Sequence, residues 1–82
     1  VRCKTIGDVL VKEDKLFLLA IDENDRIAIV ETTDLVNWTY KVLPFEIRQL
    51  SERNIFEFVL KLEYDNGSFY IGTSDGRIFK TE

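Results

Sequence analysis

The chain has 82 residues, 45% of them hydrophobic and 12% aromatic, which is core material for one small domain and not the composition of a disordered segment. A formal net charge of −4 without a Lys/Arg cluster argues against nucleic acid and anionic membrane surfaces as partners, because both are held chiefly by basic side chains. No His and a single Cys, Cys3, leave no internal disulfide and no ordinary zinc or haem ligand set, so no metal and no cofactor is expected.

No apolar run approaches the roughly 18 residues of a membrane helix, and 32% charged residues point to a soluble protein. The start at Val1 rather than Met points to a trimmed or partial chain.

Residues 1–6 (V-R-C-K-T-I) alternate apolar and polar and read as a lone outer strand, broken by Gly7-Asp8. Val9, Leu10 and Val11 form a second short run, and Glu13-Asp14-Lys15 a polar turn. Residues 16–21 (L-F-L-L-A-I) are continuously apolar and short, as in a strand covered on both faces. Asp22 and Asn24 have the alternate spacing of a calcium loop, but Arg26 occupies the fifth position, and the glycine and closing Glu are missing. A hairpin turn is the expectation there, since Asn and Asp tolerate left-handed backbone.

Residues 27–30 (I-A-I-V) repeat the buried-strand pattern. After the Thr-Thr-Asp-Leu-Val-Asn turn, Trp38, Tyr40 and Val42 alternate with Thr39, Lys41 and Leu43 as an outer, half-exposed strand that Pro44 should end. Residues 45–54 fit either a helical turn, through the spacing of Ile47 and Leu50, or a polar connection. In residues 55–64, Phe56, Phe58, Leu60, Leu62 and Tyr64 fall on one face at period two. Glu57, Lys61 and Glu63 share the other face with Ile55 and Val59, and the alternation of the two acids with Lys61 reads as a solvated face. Asn66-Gly67 has the signature of a type I′ hairpin turn, Ser74-Asp75-Gly76 marks another tight turn, and residues 77–80 form the last strand.

Residues 15–22 and 26–31 resemble residues 68–75 and 77–82: an apolar strand, an Asp-containing turn, an Arg-Ile step (Arg26-Ile27, Arg77-Ile78), and a strand ending in Glu. A period of roughly 50 residues is that of β-propeller blades. The expected fold is all-β, one domain over residues 1–82: residues 1–6 as a lone outer strand, 8–44 as a first four-stranded antiparallel blade and 54–82 as a second, incomplete one. The second blade would be completed by the N-terminal strand of another copy or by missing chain. A head-to-tail contact that closes makes a ring, and three copies would give six blades.

Thr33-Asp34-Leu35-Val36-Asn37-Trp38 resembles the Ser-x-Asp-Leu-x-x-Trp pattern of five-bladed propeller glycoside hydrolases. It is also similar to the Asp-box turn of sialidase-like propellers, although there the Asp-to-Trp spacing is one residue longer and includes a glycine. The resemblance implies structural roles: Asp34 as turn cap and Trp38 packed between blades. The glycosidase carboxylates, the sialidase arginine cluster and the Tyr–Glu pair have no counterparts in this chain.

No nucleophilic triad and no glycine-rich phosphate loop is present either, so the chain reads as non-catalytic. Three functions fit: a module that assembles with protein, either itself or the rest of a propeller; a carbohydrate-binding propeller with Tyr40, Tyr64 and Tyr70 as candidate glycan contacts; or a monomeric small β-barrel or sandwich. The turn residues Asp34, Trp38, Asn66, Gly67, Asp75 and Gly76 are structural candidates in each. Cys3 reads as a small buried hydrophobe.

Overall fold

The computed structural model describes residues 3–82, and Val1 and Arg2 of the expected first strand lie outside them. The fold is all-β. A four-stranded antiparallel meander is built from β1 (Cys3–Lys12), β2 (Lys15–Asp22), β3 (Arg26–Thr32) and β4 (Thr39–Glu46). A small hairpin of β5 (Gln49–Ser51) and β6 (Ile55–Phe56) leads to a three-stranded meander of β7 (Val59–Asp65), β8 (Ser68–Thr73) and β9 (Ile78–Thr81). The three sheets stay separate and do not close into a barrel.

The two meanders stack. Phe17, Leu19, Ile21, Ile27, Ile29 and Leu43 of the larger sheet form one core with Val59, Leu62 and Ile71 of the smaller. Phe17 meets Phe69 edge-on at 5.0 Å, and Phe45 stacks on Phe79 at 4.4 Å. The continuous apolar runs of β2 and β3 follow from this position, since central strands contribute side chains to both faces of the sheet.

Several expectations change. The lone outer strand is absent: β1 is one strand through Gly7-Asp8, and Cys3, Thr5 and Ile6 pair with Asp22, Ile21 and Ala20 of the same chain. What reads as a break is a bulge, in which Gly7 is the extra residue between the Ile6–Ala20 and Asp8–Leu19 pairs. Residues 3–6 therefore belong to the four-stranded sheet of their own chain, as part of its edge strand. Pro44 does not end β4 but sits in a bulge of this edge strand, where a missing N–H is tolerated. Residues 45–54 carry no helix, and Ile47 instead donates its N–H to the Asp25 carbonyl at 2.9 Å.

The largest change is in residues 55–64. A bulge places Leu60 as an extra residue between the Val59–Thr73 and Lys61–Gly72 pairs. One extra residue reverses the side-chain alternation. Glu57 and Val59 before the bulge, and Leu62 after it, all point inward, while Phe56, Phe58 and Leu60 stand exposed. The face that reads as solvated thus contributes Glu57 to the interior at 1% exposure.

Candidate functional site

Pairing fixes which residues share the outer face of the four-stranded sheet. Val9, Leu18, Val30 and Tyr40 lie opposite one another across the strands, and beside them lie Ile6, Ala20, Ala28 and Val42. Both rows are wholly apolar. No other element of the described residues lies over this face: Ile6, Val9, Tyr40 and Val42 are exposed, while Ala20, Ala28 and Val30 between them are buried. The small side chains of Ala20 and Ala28 leave the middle low. Cys3, Ile6, Leu18, Val30, Trp38 and Tyr40 rim a depression of about 190 Å³ there. Small-molecule sites usually enclose about 300–1,000 Å³, so this hollow has the size of a side chain.

Trp38 is 39% exposed on this rim and is not packed between the two sheets of the chain. Cys3 is exposed, not buried, at the same rim. Partial burial, then the Asp22 carboxylate, push its thiol pKa up, which is the wrong direction for a reactive thiolate.

The turn beside Trp38 is held by Asp34. Its Oδ1 accepts the N–H groups of Val36 at 2.9 Å and Asn37 at 2.8 Å, and its Oδ2 accepts the Asn37 side-chain amide at 2.8 Å. The Asn37 and Val36 N–H donors hold this carboxyl well below the usual carboxylate range. Leu35 takes a left-handed φ of 64°, which a bulky side chain adopts only when its surroundings impose it. Asp34→Ala is therefore expected to release the turn. Amide exchange at Val36 and Asn37 should accelerate and that at Ile27 and Ile29 should not; unchanged exchange at Val36 and Asn37 would sink the assignment.

The other turns are equally local. Asn66 and Gly67 have positive φ of 51° and 86°, as a type I′ hairpin requires. Asp22 Oδ1 accepts the N–H groups of Asn24 at 2.8 Å and Arg26 at 2.9 Å, so this loop closes on itself as a turn. Gly76 has φ of 79°, and Asp75 pairs with Arg48.

A second constellation joins the sheets. The Glu57 carboxylate accepts from Arg77 Nε at 2.9 Å, Thr73 Oγ1 at 2.5 Å and the Arg48 N–H at 3.1 Å, and it pairs with Arg77 Nη2. Arg77 Nη2 also donates to the Glu46 carbonyl at 2.8 Å. Arg77 first, then Thr73 and Arg48, lower the Glu57 pKa from 4.5 to about 2 against the opposing effect of burial. No buried side-chain N or O of the described residues lacks a hydrogen-bond partner, and the group acts as a clasp.

The three candidate glycan tyrosines are not brought together. Tyr40 lies on the open face, and Tyr70 is on the outer face of the small sheet. Tyr64 stands at a hairpin end with Phe69 edge-on and the Lys12 ammonium over its ring at 4.4 Å. No helix among the described residues is long and apolar enough to span a membrane. No protein-family model matches the chain, and no curated protein or solved structure shows significant similarity to it.

Proposed function

We propose that the chain is a non-catalytic assembly module of the β-propeller type. Its open four-stranded face takes a further β-sheet, from another copy or from the rest of a propeller. One observation carries this reading: two apolar rows that cross all four strands, exposed at Ile6, Val9, Tyr40 and Val42, over which no other element of the described residues lies. Contiguous exposed apolar surface of this kind marks an interaction site. Its hollow of about 190 Å³ is smaller than the about 300–1,000 Å³ of most small-molecule sites, which favours a packed sheet over a small ligand. A four-stranded meander followed by a three-stranded one, stacked face to face, also has the order of successive blades.

Val9→Lys combined with Tyr40→Lys places two charges on the face at exposed positions of its edge strands. The wild type should weigh more than the 9.6 kDa chain by light scattering, or bind anilinonaphthalene sulfonate if its face stays open. The double variant should lose both properties and keep its circular dichroism. If wild type and variant match in mass and in dye binding, the reading is wrong.

A further inference from the structure

The internal repeat says which faces are equivalent. Aligning residues 15–22 with 68–75 and 26–31 with 77–82 matches Phe17 with Tyr70, Leu18 with Ile71, Leu19 with Gly72, Ile27 with Ile78 and Ala28 with Phe79. In the large sheet Phe17, Leu19 and Ile27 point into the core, whereas their counterparts Tyr70, Gly72 and Ile78 lie on the outer face of the small sheet. Leu18 and Ala28 point to the open face, while their counterparts Ile71 and Phe79 face the core. Ile27 is 0% exposed and Ile78 is 76% exposed. The two sheets therefore stack in the same sense, like successive members of a row, and not as mirror partners. Such a stack leaves one face of each kind unmet at its two ends.

Resting on the assembly reading above, we infer that a second copy of this chain fills the open face with the outer face of its three-stranded sheet, head to tail. The contact inside the chain supplies the pairing rule. A face of the Phe17–Leu19–Ile27 kind packs on a face of the Ile71–Phe79 kind, and the unmet ends are one of each.

The shapes also fit. The outer face of the small sheet has its own hollow, about 240 Å³ over Gly72, bounded by Tyr70, Ile78, Lys61 and Glu63. Each face thus offers a hollow over small residues and raised apolar side chains beside it: Trp38 and Tyr40 on one, Tyr70 and Ile78 on the other. The charged Lys61, Glu63 and Lys80 stand on the edge strands β7 and β9, leaving Tyr70 and Gly72 on central β8 uncharged. An apolar centre with a polar rim is the usual anatomy of an interface. A contact between unlike faces closes into a ring or runs on as a filament.

The test uses two single variants, Tyr40→Lys on one face and Ile78→Glu on the other, each checked for an unchanged fold. Gly72→Arg is the alternate second variant. A Cβ at Gly72 meets only the Lys61 Cβ, at 3.8 Å, so the backbone accepts it. Where the wild type is assembled, each variant alone should show the single-chain mass. Their equimolar mixture should form a pair of twice the 9.6 kDa chain mass, because one intact face of each kind remains. A mixture that stays at the single-chain mass, or a monomeric wild type, overturns the inference. Ile78→Glu and Gly72→Arg assembling like the wild type, with Tyr40→Lys monomeric, overturns head-to-tail packing and keeps the assembly reading. Assembly that Tyr40→Lys does not affect removes both.

Discussion

Glu57→Ala is expected to cost about 3–5 kcal/mol, the range for removing one partner of a buried ion pair. A small domain has about 5–15 kcal/mol in total, so the variant would be close to unfolding. The loss arises because the partners cannot follow the carboxylate out. The Thr73 hydroxyl sits on a residue only 6% exposed, and the Arg77 side chain is 27% exposed. Arg77 keeps the Glu46 carbonyl, which places the loss at the lower end of that range. Glu57→Gln keeps the shape and can still accept from Thr73 and Arg48, so it should lose less. Urea unfolding of the three proteins measures this; a Glu57→Ala midpoint within error of wild type would show that the clasp contributes nothing.

The same clasp sets an acid limb. Glu57 titrates at about 2 in the folded chain against an ordinary 4.5. As pH falls below 4.5, the unfolded chain takes up the proton first, and unfolding is favoured. The contribution is fully present above pH 4.5 and is lost progressively as pH falls towards 2. Asp34 and Asp8 are also held low, by N–H donors from Asn37 and Leu62 respectively, so Glu57→Gln should shallow the acid limb without abolishing it. An acid limb unchanged by Glu57→Gln would contradict the assignment.

Local features of this fold are legible in the sequence because local chemistry decides them. Asn66-Gly67, Asp22 and Asp34 each close a turn with their own side chain or backbone, and β2 and β3 announce themselves as short apolar runs. The features that escape are those that depend on one extra residue. Gly7 and Leu60 are bulge residues, and a bulge carries no signal in a period-two pattern except the sign reversal it causes. Phe56, Phe58 and Leu60 therefore look like core and Glu57 like surface, while the structure has them the other way round. Nothing in the sequence marks Glu57, because its partner Arg77 lies 20 residues away and the pairing follows from how β7, β8 and β9 come together. The open face is half legible: the alternation of Tyr40 and Val42 is visible, but that Ile6, Val9, Ala20 and Ala28 join it requires the register.

Gly7→Ala should be the second severe substitution, for a reason that also explains how the sheets are joined. A Cβ on Gly7 would lie 2.2 Å from the Val59 carbonyl oxygen, 2.6 Å from Val59 Cγ2 and 2.9 Å from its carbonyl carbon. Two of those atoms are backbone, so no rotamer change relieves the contact, and β1 and β7 must separate. Overpacking of this kind costs about 1–3 kcal/mol. Here the separation also strains the bond from the Leu62 N–H to Asp8 Oδ2, at 2.7 Å, which bridges the two sheets next to the bulge. A hydrogen bond to a charged group contributes about 1.5–3 kcal/mol, so a total near 3–5 kcal/mol is expected. Gly72→Ala is the control. Its Cβ meets Lys61 Cβ at an ordinary 3.8 Å, and replacing a strand glycine by alanine should gain about 0.5–1 kcal/mol. Opposite signs for the two glycine variants in urea unfolding would place the joint between the sheets at β1 and β7. Equal, small effects would mean that the strands do not approach closely in solution and that side-chain packing alone stacks the sheets. In that case the bulge at Gly7-Asp8 would not be what sets their orientation.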